Sequence, residues 1–141
     1  MKIREIMTSI KKTSADTTVS DAAKLMDAKI IGGLLIEEEG KVIGIVTERD
    51  VLRKIVAKGR DPTTTLVKDI MSTPLITIDP EKSLEEANEI MAQKNIRRLP
   101  VESNGSIVGM ITIRDISDNL RYTLGKSLLK HRENDFVRNH F

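Results

Sequence analysis

The feature of this 141-residue chain that most constrains its fold is an internal repeat. Residues 44–50 read GIVTERD, and residues 109–115 read GMITIRD, 65 positions later. The same offset holds without a gap from position 18 to position 52, and 11 of these 35 positions are identical in both copies. Similarity at a fixed period is typical of tandem structural units. We therefore expect two halves with the same fold that share a core, since units of roughly 60 residues bury little surface alone.

The composition restricts the classes of function that the chain can have. Charged residues make up 31% and apolar residues 39%, as in ordinary soluble proteins, and no apolar run approaches the length of a membrane helix. Cysteine is absent, and the first 121 residues contain neither histidine nor aromatic residues. The body of the chain therefore lacks the usual groups for catalysis, metal binding and base stacking. These features predict a cytoplasmic protein that is not an enzyme and has no metal site.

Each half is predicted to contain two strands that form a hairpin, with a helix on either side. Capping boxes at Thr18 with Asp21 and at Ser83 with Glu86 predict helices over 19–29 and 84–94. Aliphatic runs around Gly40 and the turn at 104–105 predict hairpins, and further helices are expected from 48 to 58 and from 113 onward. With short early strands at 11–13 and 75–78, the fold class is α/β (α+β), as two βαββα units with three-stranded mixed sheets. The expected divisions are 1–64, 65–122 and a helical tail, 123–141.

The T-x-x-D part of the repeated motif has two interpretations. Thr47 with Asp50, and Thr112 with Asp115, have the spacing of a capping box at the start of a helix. The recurring glycine, aliphatic pair and arginine are not needed for a cap. Glycine permits close approach to backbone, aspartate can accept hydrogen bonds from ribose hydroxyls, and arginine pairs with phosphate. The second interpretation is therefore a site for a sugar phosphate.

Several motifs together resemble a known family. They are Ile-Met near each start, LEEANEIM at 84–91, IRRLPV at 96–101 and G-h-h-T-x-R-D in both copies, where h is aliphatic. Through them, residues 3–122 resemble two cystathionine β-synthase (CBS) motifs in tandem, a free-standing Bateman module. The resemblance implies pseudo-two-fold packing and regulatory binding of AMP, ADP, ATP, S-adenosylmethionine or NAD, with no chemistry on the ligand. It also implies a homodimer that signals to an effector protein, which the sequence does not identify.

The resemblance also implies two clefts, each joining the T-x-x-D of one repeat to strands of the other. By position, one cleft is expected to contain Thr47, Arg49, Asp50, Pro74, Ile76, Thr77, Ile96, Arg97, Arg98 and Pro100. The other is expected to contain Ile10, Lys12, Ile31, Gly32, Gly33, Thr112, Arg114 and Asp115.

The two expected clefts differ in charge. Where the second repeat has Arg97 and Arg98, the first has Gly32 and Gly33. We therefore expect the cleft with Asp50 to prefer phosphate-rich ligands and to be the occupied one. The simpler interpretation of the arginine pair is a solvated basic surface.

The residues from 121 to 141 leave other functions open. They contain five Lys or Arg against two acidic residues, and Phe136 and Phe141 could stack on bases, so nucleic-acid binding is an alternative. Helically spaced leucines in the same region fit either an amphipathic helix or docking on a partner subunit; they are Leu120, Leu124, Leu128 and Leu129. A purely structural dimerisation module is a further alternative.

Overall fold

The computed structural model of the chain describes residues 1–140, with side chains described for residues 1–130. The first half contains β1 (Lys12–Ser14), α1 (Val19–Lys29), β2 (Gly33–Glu38), β3 (Lys41–Thr47) and α2 (Glu48–Asp50), which continues as a π-helical segment, Val51–Val56. The second half contains α3 (Leu84–Lys94), β4 (Arg98–Ser103), β5 (Ser106–Thr112) and α4 (Ile113–His140). Short 3₁₀ turns lie at Ile3–Glu5 and Val67–Asp69. The predicted mixed α/β fold class is confirmed.

The two sheets differ by one strand. In the first half β1 pairs parallel with β2, which pairs antiparallel with β3, and this gives the predicted three-stranded mixed sheet. In the second half β4 and β5 pair antiparallel, and the expected early strand is reduced to one parallel bridge, Ile78 with Val101. In the first sheet the Leu35 N–H donates to the Lys11 carbonyl at 2.9 Å. The equivalent Pro100 has no N–H, so this ladder hydrogen bond is absent from the second half.

The first helix of each half begins at the predicted cap. The Thr18 hydroxyl accepts from the Asp21 N–H at 3.1 Å, and the Ser83 hydroxyl accepts from the Glu86 N–H at 3.1 Å. The Glu86 carboxylate in turn accepts from the Ser83 N–H at 2.8 Å, and this bond holds the Glu86 pKa below its usual range. Local hydrogen bonds of this type set the start of a helix without help from the rest of the fold.

Each half has a hydrophobic core, and each core is completed by the segment that precedes the other half. Ile3 is fully buried with residues of the second half, including Ile78, Met91, Leu99 and Ile111. Val67 and Ile70 are buried with residues of the first half, including Val19, Met26, Leu34 and Val46. We call residues 1–8 and 65–72 the exchanged segments. The expected division at 64 and 65 stays a prediction about the chain, but the packing crosses it in both directions.

The exchanged segments make the same backbone contacts in the two halves. Thr8 forms an antiparallel bridge with Met110, and Ser72 forms the matching bridge with Ile45. The Ile3 N–H donates to the Lys82 carbonyl at 2.9 Å. The matching bond runs from the Val67 N–H to the Thr17 carbonyl, at 2.8 Å. These paired contacts relate the two halves by a pseudo-two-fold axis.

The glycine of the repeated motif accommodates an exchanged segment. A Cβ atom on Gly44 would lie 2.6 Å from the Met71 Sδ and 2.9 Å from the Ser72 carbonyl oxygen. A Cβ atom on Gly109 would lie 2.7 Å from the Met7 Sδ. The glycine that we associated with ligand approach therefore leaves room for a methionine from the other half, and this packing explains why it recurs.

The last helix extends beyond the second core. α4 spans Ile113–His140, and its leucines are exposed: Leu120, Leu124, Leu128 and Leu129. The side chain of Phe136 and the whole of Phe141 lie outside the described residues. Across residues 1–140, no helix is both long enough and apolar enough to cross a bilayer.

We predict that Gly44→Ala and Gly109→Ala each lower the free energy of unfolding by about 1–3 kcal/mol, because the added methyl group overlaps a packed methionine and nearby backbone. Urea denaturation followed by circular dichroism measures the change. Gly125→Ala is the control, because a Cβ atom there meets nothing within 4 Å and alanine favours a helix. Equal stability of all three variants would contradict the proposed role of the exchanged segments.

Candidate functional site

One cleft of about 770 Å³ lies between the two halves and contains both T-x-x-D motifs. Its walls are the two helix starts, the backbone that follows each exchanged segment, and the entry to β2 and β4. Fifteen of the predicted site residues line it: Ile31, Gly32, Gly33, Thr47, Arg49, Asp50, Pro74, Ile76, Ile96, Arg97, Arg98, Pro100, Thr112, Arg114 and Asp115. The structure therefore brings the two expected clefts together as two ends of one continuous cleft.

Three predicted residues do not line this cleft. The Lys12 ammonium group pairs with the Glu37 carboxylate, and the Thr77 hydroxyl donates to the Glu102 carboxylate at 2.8 Å. These two contacts are at equivalent positions of the two halves, and they hold both side chains away from the cleft lining. Because consecutive side chains of an extended segment point in opposite directions, Lys11 lines the cleft while Ile10 and Lys12 do not.

Sequence reasoning missed several residues of the lining, which are Thr8, Ser9, Lys11, Ile30, Ile45, Glu48, Ser72, Leu75, Asn95, Met110 and Ile113. Some of them had a signal in the sequence. Ser9 and Lys11 alternate with Ile10 and Lys12, so a correct choice of face for the early strand would have included them. Ile30 and Asn95 follow the ends of α1 and α3, where a chain turns back toward its sheet.

The carboxylate of Asp50 is buried and bonded to three groups of its own half. Its Oδ2 atom accepts from the Thr47 N–H at 2.9 Å and from the Thr47 hydroxyl at 3.2 Å. Its Oδ1 atom lies 3.1 Å from the Lys54 Nζ atom, one helical turn later. The same Nζ atom donates to the Ile70 carbonyl at 2.7 Å. Lys54 therefore links Asp50 to the exchanged segment 65–72 through an ion pair and a hydrogen bond.

The carboxylate of Asp115 makes fewer contacts. Its Oδ2 atom accepts from the Thr112 N–H at 2.9 Å, and the Asp115 N–H donates to the Thr112 hydroxyl at 3.1 Å. The residue is half-buried, and the position equivalent to Lys54 is Asn119. Both T-x-x-D motifs are therefore capping boxes, as the first interpretation held, but only one of them is also held by a lysine.

The two motif arginines are also in different environments. The Arg49 Nη1 atom donates at 3.2 Å to the carbonyl of Asn95, the residue that ends α3 in the other half. Arg114 is 89% exposed, and its Nε atom lies 3.9 Å from Asp118, a distance at which an exposed pair contributes little. Arg49 therefore joins the halves, whereas Arg114 is available to a ligand.

Arg98 crosses from the second half to the first. A Cβ atom on Gly32 would lie 1.9 Å from the Arg98 Nη2 atom, and one on Gly33 would lie 3.0 Å from its Cδ atom. The side chain thus occupies the space that side chains at these glycines would fill. The glycine pair of the first half and Arg98 of the second half are therefore complementary in shape.

Ile30 is held in an unfavourable backbone conformation at the edge of the cleft. It ends α1 with φ 54° and ψ 50°, in the left-handed region that a β-branched residue rarely adopts. Its side chain is 92% exposed. The equivalent Asn95 has φ 51° and ψ 45°, a conformation that asparagine tolerates.

The family model of the CBS domain matches residues 3–57 and 67–122. The chain therefore belongs to the CBS domain family, as a tandem pair of CBS domains. It is 36% identical over 118 residues to the CBS domain-containing protein YhcV of Bacillus subtilis, covering 83% of this chain and 84% of that protein. It is 38% identical over 108 residues to an uncharacterised protein of Methanopyrus kandleri, covering 76% of this chain. The chain spans 55% of that longer protein.

Solved structures support the same assignment. A protein with CBS domains from Burkholderia ambifaria superposes with a TM-score of 0.82 at 32% identity, over 85% of this chain and 93% of the other. A hexameric CBS-CP12 protein from bloom-forming cyanobacteria superposes with a TM-score of 0.76 at 38% identity, over 82% and 69%. That related protein is hexameric.

We predict that Ile30→Asn raises the free energy of unfolding by about 1 kcal/mol, because asparagine relieves the left-handed strain at the end of α1. The reverse change at the equivalent position, Asn95→Ile, is expected to lower it by a similar amount. Urea denaturation of both variants measures the effects. A destabilising Ile30→Asn would show that the isoleucine side chain is held by contacts rather than strained.

Proposed function

We propose that the chain is a regulatory module that binds an adenosyl ligand, such as AMP, ADP, ATP, S-adenosylmethionine or NAD, in the central cleft. The observation that carries the proposal is the convergence of two T-x-x-D motifs, arginine side chains and aliphatic residues from both halves on one cleft. Membership of the CBS domain family supports it. The proposed role is regulatory: a ligand bound by residues of both halves can favour one arrangement of the halves over another.

The lining matches the parts of an adenosyl ligand. Half-buried aliphatic side chains such as Ile31 and Ile96 offer apolar surface to an adenine ring. A motif carboxylate can accept hydrogen bonds from the two ribose hydroxyls. The guanidinium groups of Arg97, Arg98 and Arg114 can pair with phosphate oxygens. An uncharged apolar ligand would leave these groups without a role.

The exchanged segments supply a route for the signal. The cleft walls come from both halves, and residues 1–8 and 65–72 connect each wall to the opposite core. A ligand that contacts both walls favours the arrangement in which those contacts are best, and it shifts the population toward that arrangement. We propose that a partner protein, or the second subunit of a homodimer, responds to this shift.

A structural role without a ligand is the second candidate, and the exposed leucines of α4 favour it. Leu120, Leu124 and Leu128 are each more than half exposed along one helix, as expected for a surface that another chain covers. The ligand-binding experiment below separates the two candidates, since a purely structural module gains no stability from nucleotides.

We predict that at least one of AMP, ADP, ATP, S-adenosylmethionine and NADH stabilises the protein. At a ligand concentration one hundred times the dissociation constant, the gain is about 2.7 kcal/mol, because the ligand binds the folded state only. Thermal denaturation across a concentration series measures it. GMP and GTP are the matched controls for recognition of the adenine base. Ribose 5-phosphate is the control for binding of the sugar phosphate alone. Absence of a shift with all five adenosyl compounds would contradict the proposed function and leave the structural role.

A further inference from the structure

The two ends of the cleft carry the same motif but differ in how much of it is already bonded. We infer that an adenosyl ligand occupies the end formed by Thr112, Arg114 and Asp115, and that Lys54 closes the other end by holding Asp50. This inference rests on the proposed function and specifies where in the cleft it takes place. It reverses the preference for the Asp50 end that the sequence suggested.

Hydrogen-bonding capacity is the first argument. A carboxylate offers about four acceptor positions. At Asp50 three are used, by the N–H and hydroxyl of Thr47 and by the ammonium group of Lys54. At Asp115 a single protein donor, the Thr112 N–H, is bonded to the carboxylate. A ribose diol needs two acceptor positions, which Asp115 has and Asp50 does not.

Burial strengthens this difference. The Asp50 residue is only 8% exposed, and its partner Lys54 is fixed by a second bond to the Ile70 carbonyl. A ligand hydroxyl that replaced Lys54 at Asp50 would have to break an ion pair with a carboxylate that is almost fully buried. Asp115 is half-buried and can accept new donors without breaking an existing contact.

The arginines give a second, independent argument. Arg49 is bonded to the Asn95 carbonyl in the opposite half, so a phosphate group must compete with that bond. Arg114 is 89% exposed, and a phosphate would face only its weak contact with Asp118. Of the two motif arginines, Arg114 therefore has the guanidinium group with fewer competing contacts.

The apolar surface gives a third argument. Ile30 and Asn95 are equivalent positions of the two repeats, and so are Arg114 and Arg49. Because Asn95 contacts Arg49, the pseudo-two-fold axis places Ile30 near Arg114. Ile30 is exposed and strained, whereas Asn95 is a relaxed residue whose carbonyl is bonded. The Asp115 end thus presents an unsatisfied aliphatic side chain on which an adenine ring can stack, and burial of that side chain would offset its strain.

The determinant is a single side chain that differs between the repeats. Lys54 stands one turn after Asp50, and Asn119 stands one turn after Asp115. The Asn119 side chain donates to the Met1 sulfur at 3.3 Å and not to the Asp115 carboxylate. Exchanging these two residue types is expected to exchange the open and closed ends of the cleft.

We predict one ligand per chain for the wild-type protein, two for Lys54→Asn, and at least tenfold weaker binding for Asn119→Lys. Isothermal titration calorimetry measures stoichiometry and affinity, with the adenosyl compound that gives the largest thermal shift among AMP, ADP, ATP, S-adenosylmethionine and NADH as the probe. Asp115→Asn is expected to weaken the wild-type event about tenfold to hundredfold, since it removes a charged acceptor. In the Lys54→Asn background, Asp50→Asn is expected to remove the second event.

Ile30→Asn separates a loss of binding from a loss of folding. This variant is expected to be more stable than the wild type yet to bind the probe about fivefold more weakly, because the apolar contact is removed. Urea denaturation of every variant establishes that each one folds.

Two results would overturn the inference while leaving the proposed function intact. One is two equivalent binding events in the wild-type protein. The other is loss of the wild-type event with Asp50→Asn and its retention with Asp115→Asn. If none of the five compounds binds the wild-type protein or Lys54→Asn, the proposed function itself fails.

Discussion

The exchange of the segments 1–8 and 65–72 between the two cores is the interaction on which the rest of the structure depends. Ile3 and Val67 are fully buried in the core of the opposite half, and burial of a side chain of this kind contributes about 1.5–3 kcal/mol. Neither half can therefore complete its core alone. The backbone that leaves each exchanged segment forms one wall of the cleft, so the geometry of the cleft is coupled to the packing of both cores.

The pseudo-two-fold axis explains why two nearly identical repeats carry different residues at the cleft. Near such an axis the same position of both repeats meets in one region, and two large side chains cannot fill the same volume. Arg98 occupies the space beside its counterpart Gly33 and the neighbouring Gly32, where neither glycine has a side chain. The repeats also differ at Lys54 and Asn119. Lys54 pairs with the Asp50 carboxylate, whereas Asn119 contacts the Met1 sulfur.

The parts of the structure that depend on neighbours in the chain could be predicted from the sequence. The capping bonds of Ser83 with Glu86 arise within one turn, so the helix begins where the sequence indicates. Asn104 and Gly105 adopt φ values of 50° and 78°, which both residues tolerate, and the second hairpin turns there. The fixed repeat offset gave two similar halves, and family resemblance located most of the cleft lining. The i,i+4 spacing of Asp50 and Lys54 is also present in the sequence, but the pairing of the lysine with the carboxylate depends on the burial of Asp50 in the folded protein.

The repeat is a property of the sequence itself. The sequence also determined the helices, the hairpins and the T-x-x-D caps, because each of these is set by bonds between residues close in the chain. Only the tertiary structure decided that Gly109 makes room for Met7 and that Arg98 lies against Gly32, contacts between residues far apart in the chain. It also decided that Lys11 faces the cleft while Lys12 faces Glu37, since the face of a short strand is fixed by its pairing partner. Which end of the cleft is open depends on burial and on competing bonds, and those exist only once the halves have packed together.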